Sequence, residues 1–363
     1  MGKRVKGSRN HPKVEFSSIL NALVDEERPF PPKYLQHLSD LTPEKAEQLA
    51  GIWKDIPASR RLSMLEDLEE MQEEDTRLLF NDVALLALQD EEPSARARAI
   101  SMLWDTGSEG LIPVYTRLSL HDPAVEVRAA ATWGLGMYIY LGELEELNAE
   151  LKPIEDHLIA VANGADDALV RRRAIESLGF SSRDEVPALI EAAYNMDDPD
   201  WISSALFAMG RSYDATRYET HVRRMLNHPK FNVQLEAVRA CGELTLESSR
   251  RSLLDLFEEE ALDPDIRDAA IWALSQIGGE QVEETLEDLL EKAENDEDEE
   301  FILNALDNLS LTEQVNKMDL MDIDLEDEEL FGNVVDLEAE SSDDEDDEES
   351  DDEEDDGESS DKA

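Results

Sequence analysis

A small residue returns along this chain at a nearly constant interval. Ala99, Ala131, Ala174, Ala205, Ala237, Ala270 and Ala305 stand 32, 43, 31, 32, 33 and 35 residues apart. The turns keep the same register, because Glu92-Pro93, Asp122-Pro123, Asp198-Pro199, His228-Pro229 and Asp263-Pro264 each precede one of these markers. A proline there has its φ preset for the first helical turn, and an aspartate before it can cap the free N–H groups. After the last of these turns, Ile266, Ala270, Ala273, Leu274 and Ile277 fall on one helical face. Arg96, Arg128, Arg171 and Arg267 stand three before their marker; Leu103, Leu135, Leu178, Met209, Leu274 and Leu309 stand four after it. Two helices per unit, repeated every ~30–45 residues, bury their apolar faces by stacking unit on unit, which defines an α-solenoid.

The underlying pattern, Asp-Pro-x-Val-Arg-x-x-Ala-x-x-x-Leu-Gly, resembles HEAT repeats, above all the short bacterial type also found in phycobilisome lyase subunits. Residues 127–136, from Val127-Arg128 to Leu135-Gly136, and 170–179, from Val170-Arg171 to Leu178-Gly179, match it best. The resemblance covers roughly residues 43–310. It departs where Ile202 and Gln234 replace the arginine and Cys241 replaces the leucine. It implies an all-α fold: a superhelical α-solenoid of about eight HEAT-like helix pairs whose second helices line the concave side. Activity does not follow, because one scaffold carries many unrelated functions.

The expected organisation begins with a basic, disordered arm at residues 1–13, holding Lys3, Arg4, Lys6, Arg9 and Lys13. Capping helices follow at 14–42, then the repeats at 43–310, the first pair opening at Thr42-Pro43 with Met64 in the marker position. The long interval of 43 residues places an insertion between Tyr138 and Pro153, read as an extended helix or extra turn. Residues 311–337 form an acidic and apolar linker or docking segment, in which Leu325, Leu330 and Phe331 are candidate contacts. Residues 338–363 are almost pure Asp, Glu and Ser, too polar to bury a core, and are expected to be disordered.

Formal net charge is −56; residues 318–363 hold 25 acidic residues and one lysine, so −24 lies there and −32 on residues 1–317. A body acidic in its own right repels nucleic acid and anionic lipid and attracts basic partners over long range. The single cysteine, Cys241, excludes a disulfide within the chain and sites of several thiolates. No apolar run reaches the ~18 residues of a membrane span, and no signal-type hydrophobic run follows Met1-Gly2-Lys3-Arg4. A cytoplasmic monomer is the expectation. There is no phosphate loop, Gly-x-Ser-x-Gly, His-Glu-x-x-His or Cys-x-x-Cys, and the six histidines are scattered. No catalytic residue, cofactor or metal is therefore expected.

Helix geometry locates a candidate binding row. At about 100° per residue, the position two after each buried marker points nearly opposite the core. That row includes Trp133, Glu176, Phe207, Arg239 and Trp272, and aromatic residues with arginine are typical interface anchors. The leading expectation is a non-enzymatic scaffold or chaperone-like adaptor whose groove holds a protein or peptide, with the acidic tail favouring basic partners. The alternative, carried by the resemblance alone, is a lyase or lyase subunit whose groove holds a tetrapyrrole-like ligand.

Overall fold

The structure, a computed structural model, describes residues 14–258, 261–293 and 295–320. By its contacts the chain divides into residues 1–312 and residues 313–363. The helices belong to the first unit as far as residue 312, and no strand occurs among the described residues.

Helix α1 (Phe16–Val24) and a 3-10 turn (Pro32–Leu38) bury Ile19, Leu23, Leu35 and Leu38 against the first repeat. Eight helix pairs follow: α2 (Pro43–Ile52) with α3 (Ala58–Glu74); α4 (Asn81–Ala87) with α5 (Pro93–Met102); α6 (Ile112–His121) with α7 (Val125–Gly134) and its continuation α8 (Gly136–Glu143); and α9 (Leu151–Asn163) with α10 (Ala168–Leu178). The rest are α11 (Val186–Tyr194) with α12 (Pro199–Arg211), α13 (Ala215–Met225) with α14 (Phe231–Glu243), α15 (Arg250–Leu256) with α16 (Pro264–Ile277), and α17 (Val282–Leu290) with α18 (Asp296–Leu320). The extra residues after Tyr138 lengthen the third pair through α8, which packs on α9 and α10.

The turn chemistry is that anticipated from the aspartates. Asp198 accepts from the Asp200 N–H at 2.9 Å and Asp263 from the Asp265 N–H at 3.0 Å, each closing the start of a proline-led helix. All seven marker alanines are buried. The core is thus one continuous seam of Ala, Leu, Val and Ile running through the repeats.

The marker arginines have a second role that their spacing alone did not disclose. Arg96, Arg128 and Arg267, with Arg61 at the same offset before Met64, reach forward to an aspartate at the turn of the following repeat. Arg61 on α3 forks onto Asp90 (2.6 and 2.9 Å), Arg96 on α5 onto Asp122 (2.9 and 2.8 Å), and Arg128 on α7 onto Asp166 (2.9 and 2.7 Å). Arg267 on α16 bonds Asp298 at 2.7 Å in the same sense. The free amino group of Arg96 also donates to the Asp90 carbonyl, and that of Arg128 to the Asp122 carbonyl. Each fork therefore ties an aspartate to the backbone of the turn before it. Burial works against the charge of Asp90 and Asp122, but the Arg61 and Arg96 guanidiniums hold both carboxyls below the ordinary range.

The ladder changes character in the middle of the chain. Arg171 stacks on the Trp201 ring at 5.0 Å and donates to the Ala162 carbonyl, and the next two positions are Ile202 and Gln234. Here the second helices are held by close backbone approach. A Cβ on Gly179 would lie 2.8 Å from the Ala208 Cα, and one on Gly242 would lie 2.8 Å from the Ala273 Cα and 2.6 Å from the Trp272 ring. Gly242→Ala should therefore destabilise the protein by roughly 1–3 kcal/mol through overpacking. A melting curve superimposable on the parent's would show that α14 and α16 have room to separate.

Candidate functional site: an aromatic groove along the second helices

The second helices and the turns that end them converge on a cavity of about 720 Å³. A 3-10 turn after α5 (Trp104–Thr106), closed by Gly107 at φ 55°, brings Trp104 to it. Trp133 comes from α7, Tyr140 from α8, Phe180 from the end of α10, and Phe207 and Arg211 from α12. The rings touch. Trp104 stacks on Trp133 with centroids 5.1 Å apart and planes at 18°, Trp133 meets Phe207 edge-on at 5.3 Å, and Tyr140 meets Phe180 at 5.4 Å. Such offset and edge-on contacts suit the ring quadrupoles, so the rings hold each other in place.

Arginines are threaded between the rings. Arg173 lies over Trp133, and Arg211 over both Phe207 (5.3 Å) and Phe180 (5.6 Å). Each also has a carboxylate: Arg173 pairs with Glu176 and Arg211 with Glu243 at 2.9 Å. Phe207 and Arg211 then border a second cavity of about 260 Å³, completed by Glu236, Arg239 and Trp272. The two cavities thus share a wall, and together they run from α3 to α16. In the second, burial pushes the Glu236 carboxyl up, against the pull of its partner Arg239.

The row two positions beyond the markers is only partly uniform. Trp133, Phe207 and Trp272 are half-buried and line the cavities, and Arg239 is exposed beside Trp272. Glu176 departs from the angular argument: it is 5% exposed. It sits on α10, between α7 and α12, whose rings Trp133 and Phe207 meet, and its carboxylate accepts from Ser204 (2.6 Å) and Arg173 (2.5 Å). Its carboxylate fixes Arg173 from the interior. Leu325, Leu330, Phe331 and the acidic residues beyond them lie outside the described residues, as does the basic arm at 1–13.

Trp104, Tyr140, Phe180 and Arg211 were not reached by the row argument. They stand five, nine, six and six residues after their markers; Trp104 and Phe180 lie past the ends of α5 and α10, where helical periodicity no longer fixes direction, while Tyr140 is on the continuation α8 and Arg211 is the last residue of α12.

Among the described residues, no three histidine, cysteine, aspartate or glutamate side chains gather as a metal site. Cys241 is buried, and desolvation pushes its thiol up to about 11. No described helix is long and apolar enough to cross a membrane.

Stacked helix pairs, an arginine–aspartate ladder and a groove along the second helices define an α-solenoid of the HEAT type. Residues 220–309 match the family model for HEAT repeats, so the repeats at this end of the chain are HEAT repeats. Among solved structures, the chain is similar to the Escherichia coli protein YibA, at 17% identity and a TM-score of 0.41 over 79% of this chain and 99% of that one. It is also similar to the CpcE–CpcF complex of phycocyanin lyase from Nostoc, at 21% identity and a TM-score of 0.38 over 74% and 95%. Human deoxyhypusine hydroxylase in complex with glycerol aligns at 17% identity and a TM-score of 0.33 over 72% and 95%. No curated protein sequence matches the chain.

Proposed function

We propose that this protein is a non-enzymatic interaction scaffold or chaperone-like adaptor whose groove holds a protein or peptide, and that its acidic tail favours basic partners. The observation carrying this reading is the run of half-buried Trp133, Phe207 and Trp272 along two adjoining cavities, with arginines fixed among them. Large rings with apolar bodies, partly open to solvent and already positioned by their neighbours, lose little conformational entropy when a partner covers them. The tail contributes differently. Its charge acts over a Debye length of about 8–10 Å at ordinary salt and so accelerates encounter more than it holds the complex.

The test is capture of partners from native lysate by the full chain, followed by binding kinetics at two salt concentrations. Trp133→Ala and Trp272→Ala should release the partner faster. A chain ending before Met318 should associate more slowly, with a weaker salt dependence and nearly unchanged dissociation. If both tryptophan variants bind like the parent, the groove is not the interface. The cavity of about 720 Å³ also falls in the size range of small-molecule sites. A coloured ligand that co-purifies with the protein and is lost in Trp133→Ala would favour the tetrapyrrole-binding reading instead.

A further inference from the structure

The groove is electrically uneven, and the unevenness selects what it can take. Its arginines are each paired: Arg173 with Glu176, Arg211 with Glu243, Arg239 with Glu236, and Arg98 at the α3 edge with Glu66 and Glu69. The carboxylates at the Trp104 end are not matched in this way. Glu73 from α3 and Asp105, next to Trp104, are exposed, line the same cavity as the indole pair, and form no ion pair among the described residues. Glu69 lies beside them, and burial pushes its carboxyl up even though Arg98 pulls it down.

Further along the groove the chain supplies the missing element itself. There, two of the rings carry a guanidinium that is also held by a carboxylate: Arg173 over Trp133 beside Glu176, and Arg211 over Phe207 beside Glu243. The Trp104 ring has no arginine over it among the described residues, and the Glu73 and Asp105 carboxylates line the same cavity. We propose that the Trp104 end of the groove is a receptor for an arginine side chain of a basic protein partner, with the guanidinium taken by the Trp104 indole and the Glu73 and Asp105 carboxylates. The choice of arginine follows from shape. A planar, weakly hydrated guanidinium stacks on an indole while its edge donors reach carboxylates, which a compact ammonium does less well. Charge complementarity agrees, since the body of the chain carries −32 before the tail is counted.

The proposal rests on the groove being a protein-binding surface, and the experiment separates the two. Full-length protein carrying fluorotryptophan at its five tryptophans is followed by fluorine NMR, with resonances assigned by single Trp→Phe substitutions. The probe is an acetylated peptide alternating arginine with glycine and leucine; its control replaces every arginine with the isosteric, uncharged citrulline. The arginine peptide should shift the Trp104 and Trp133 resonances in a saturable way, with Trp272 moving less, and the citrulline peptide should not. Glu73→Gln and Asp105→Asn, both at exposed sites outside the packed core, should each weaken that response about tenfold. Binding to the acidic tail alone would leave the tryptophan resonances in place and would overturn the proposal. So would equal responses to the arginine and citrulline peptides, although the wider reading of the groove would then survive. That reading falls separately, if the tryptophan variants retain the captured partner.

Discussion

Replacing Asp90 with alanine is expected to destabilise the protein by roughly 3–5 kcal/mol, because it strands the guanidinium of Arg61 in the interior without its partner. The side chains of Asp90 and Arg61 are 0% and 9% exposed. Asp90 accepts both donors of the Arg61 fork, the Trp53 indole N–H at 2.7 Å and the Glu92 N–H at 2.9 Å. One substitution therefore leaves several buried donors unpaired, each costly in a medium that cannot hydrate them. A control lies on the surface: Arg251 and Asp255 are 2.9 Å apart at 69% and 49% exposure, and Asp255→Ala should cost no more than about 1 kcal/mol. Urea unfolding of the two variants against the parent measures both effects. Equal losses would mean that the forks contribute no more than surface ion pairs.

The same forks set a pH dependence. Asp90, Asp122 and Asp166 have folded-state pKa values below their unfolded ones; for Asp166 the largest cause is the hydrogen bonding of Arg128. The stability they contribute is accordingly complete above the ordinary carboxyl value of 3.8 and is lost as pH falls through the lower folded values. The difference between Asp90→Ala and the parent should shrink in that acid window and stay constant between pH 6 and 8, which is about where ordinary carboxyls are fully ionised.

The second large effect concerns binding. Trp133→Ala should weaken the complex with a groove-bound partner by roughly 2–4 kcal/mol, on the order of 30- to 1,000-fold, mainly through faster dissociation. Trp133 contacts Trp104, Phe207 and Arg173, so its removal loosens three neighbours as well as deleting its own surface. Because part of that loss could be structural, the measurement pairs binding with melting, and Trp272→Ala provides an independent second site. Phe231, an exposed residue at the start of α14 that lines neither cavity, provides the opposite control. Its replacement by alanine should leave binding unchanged. A Trp133→Ala variant that binds normally would show that the ring pair serves the fold alone.

The contrast between Trp133 and Glu176 shows where sequence reasoning stopped. Both stand two residues beyond a marker alanine, and helix geometry alone assigns them the same direction. Direction relative to one helix axis does not fix exposure, because the flanking helices decide what covers the position. Ser204 from α12 and Arg173 from α10 hold the Glu176 carboxylate, which is buried and serves as a support. Trp104 and Phe180 illustrate a different limit. They follow the last regular turn of their helices, and their placement depends on the exit path of the chain.

By itself the sequence determined the helical pairs, their register and the identity of the buried face. The markers, the turn prolines and the capping aspartates are local signals that repeat, so each unit confirms the next. The packing of one unit on another, in contrast, was settled by tertiary structure. An arginine at a fixed offset reads only as a recurring charge until the neighbouring turn places an aspartate within 3 Å of it, as Arg96 and Asp122 show. A groove likewise exists only once separate helices have been stacked, because its walls come from residues far apart in the chain, from Trp104 to Arg211, that share no local pattern.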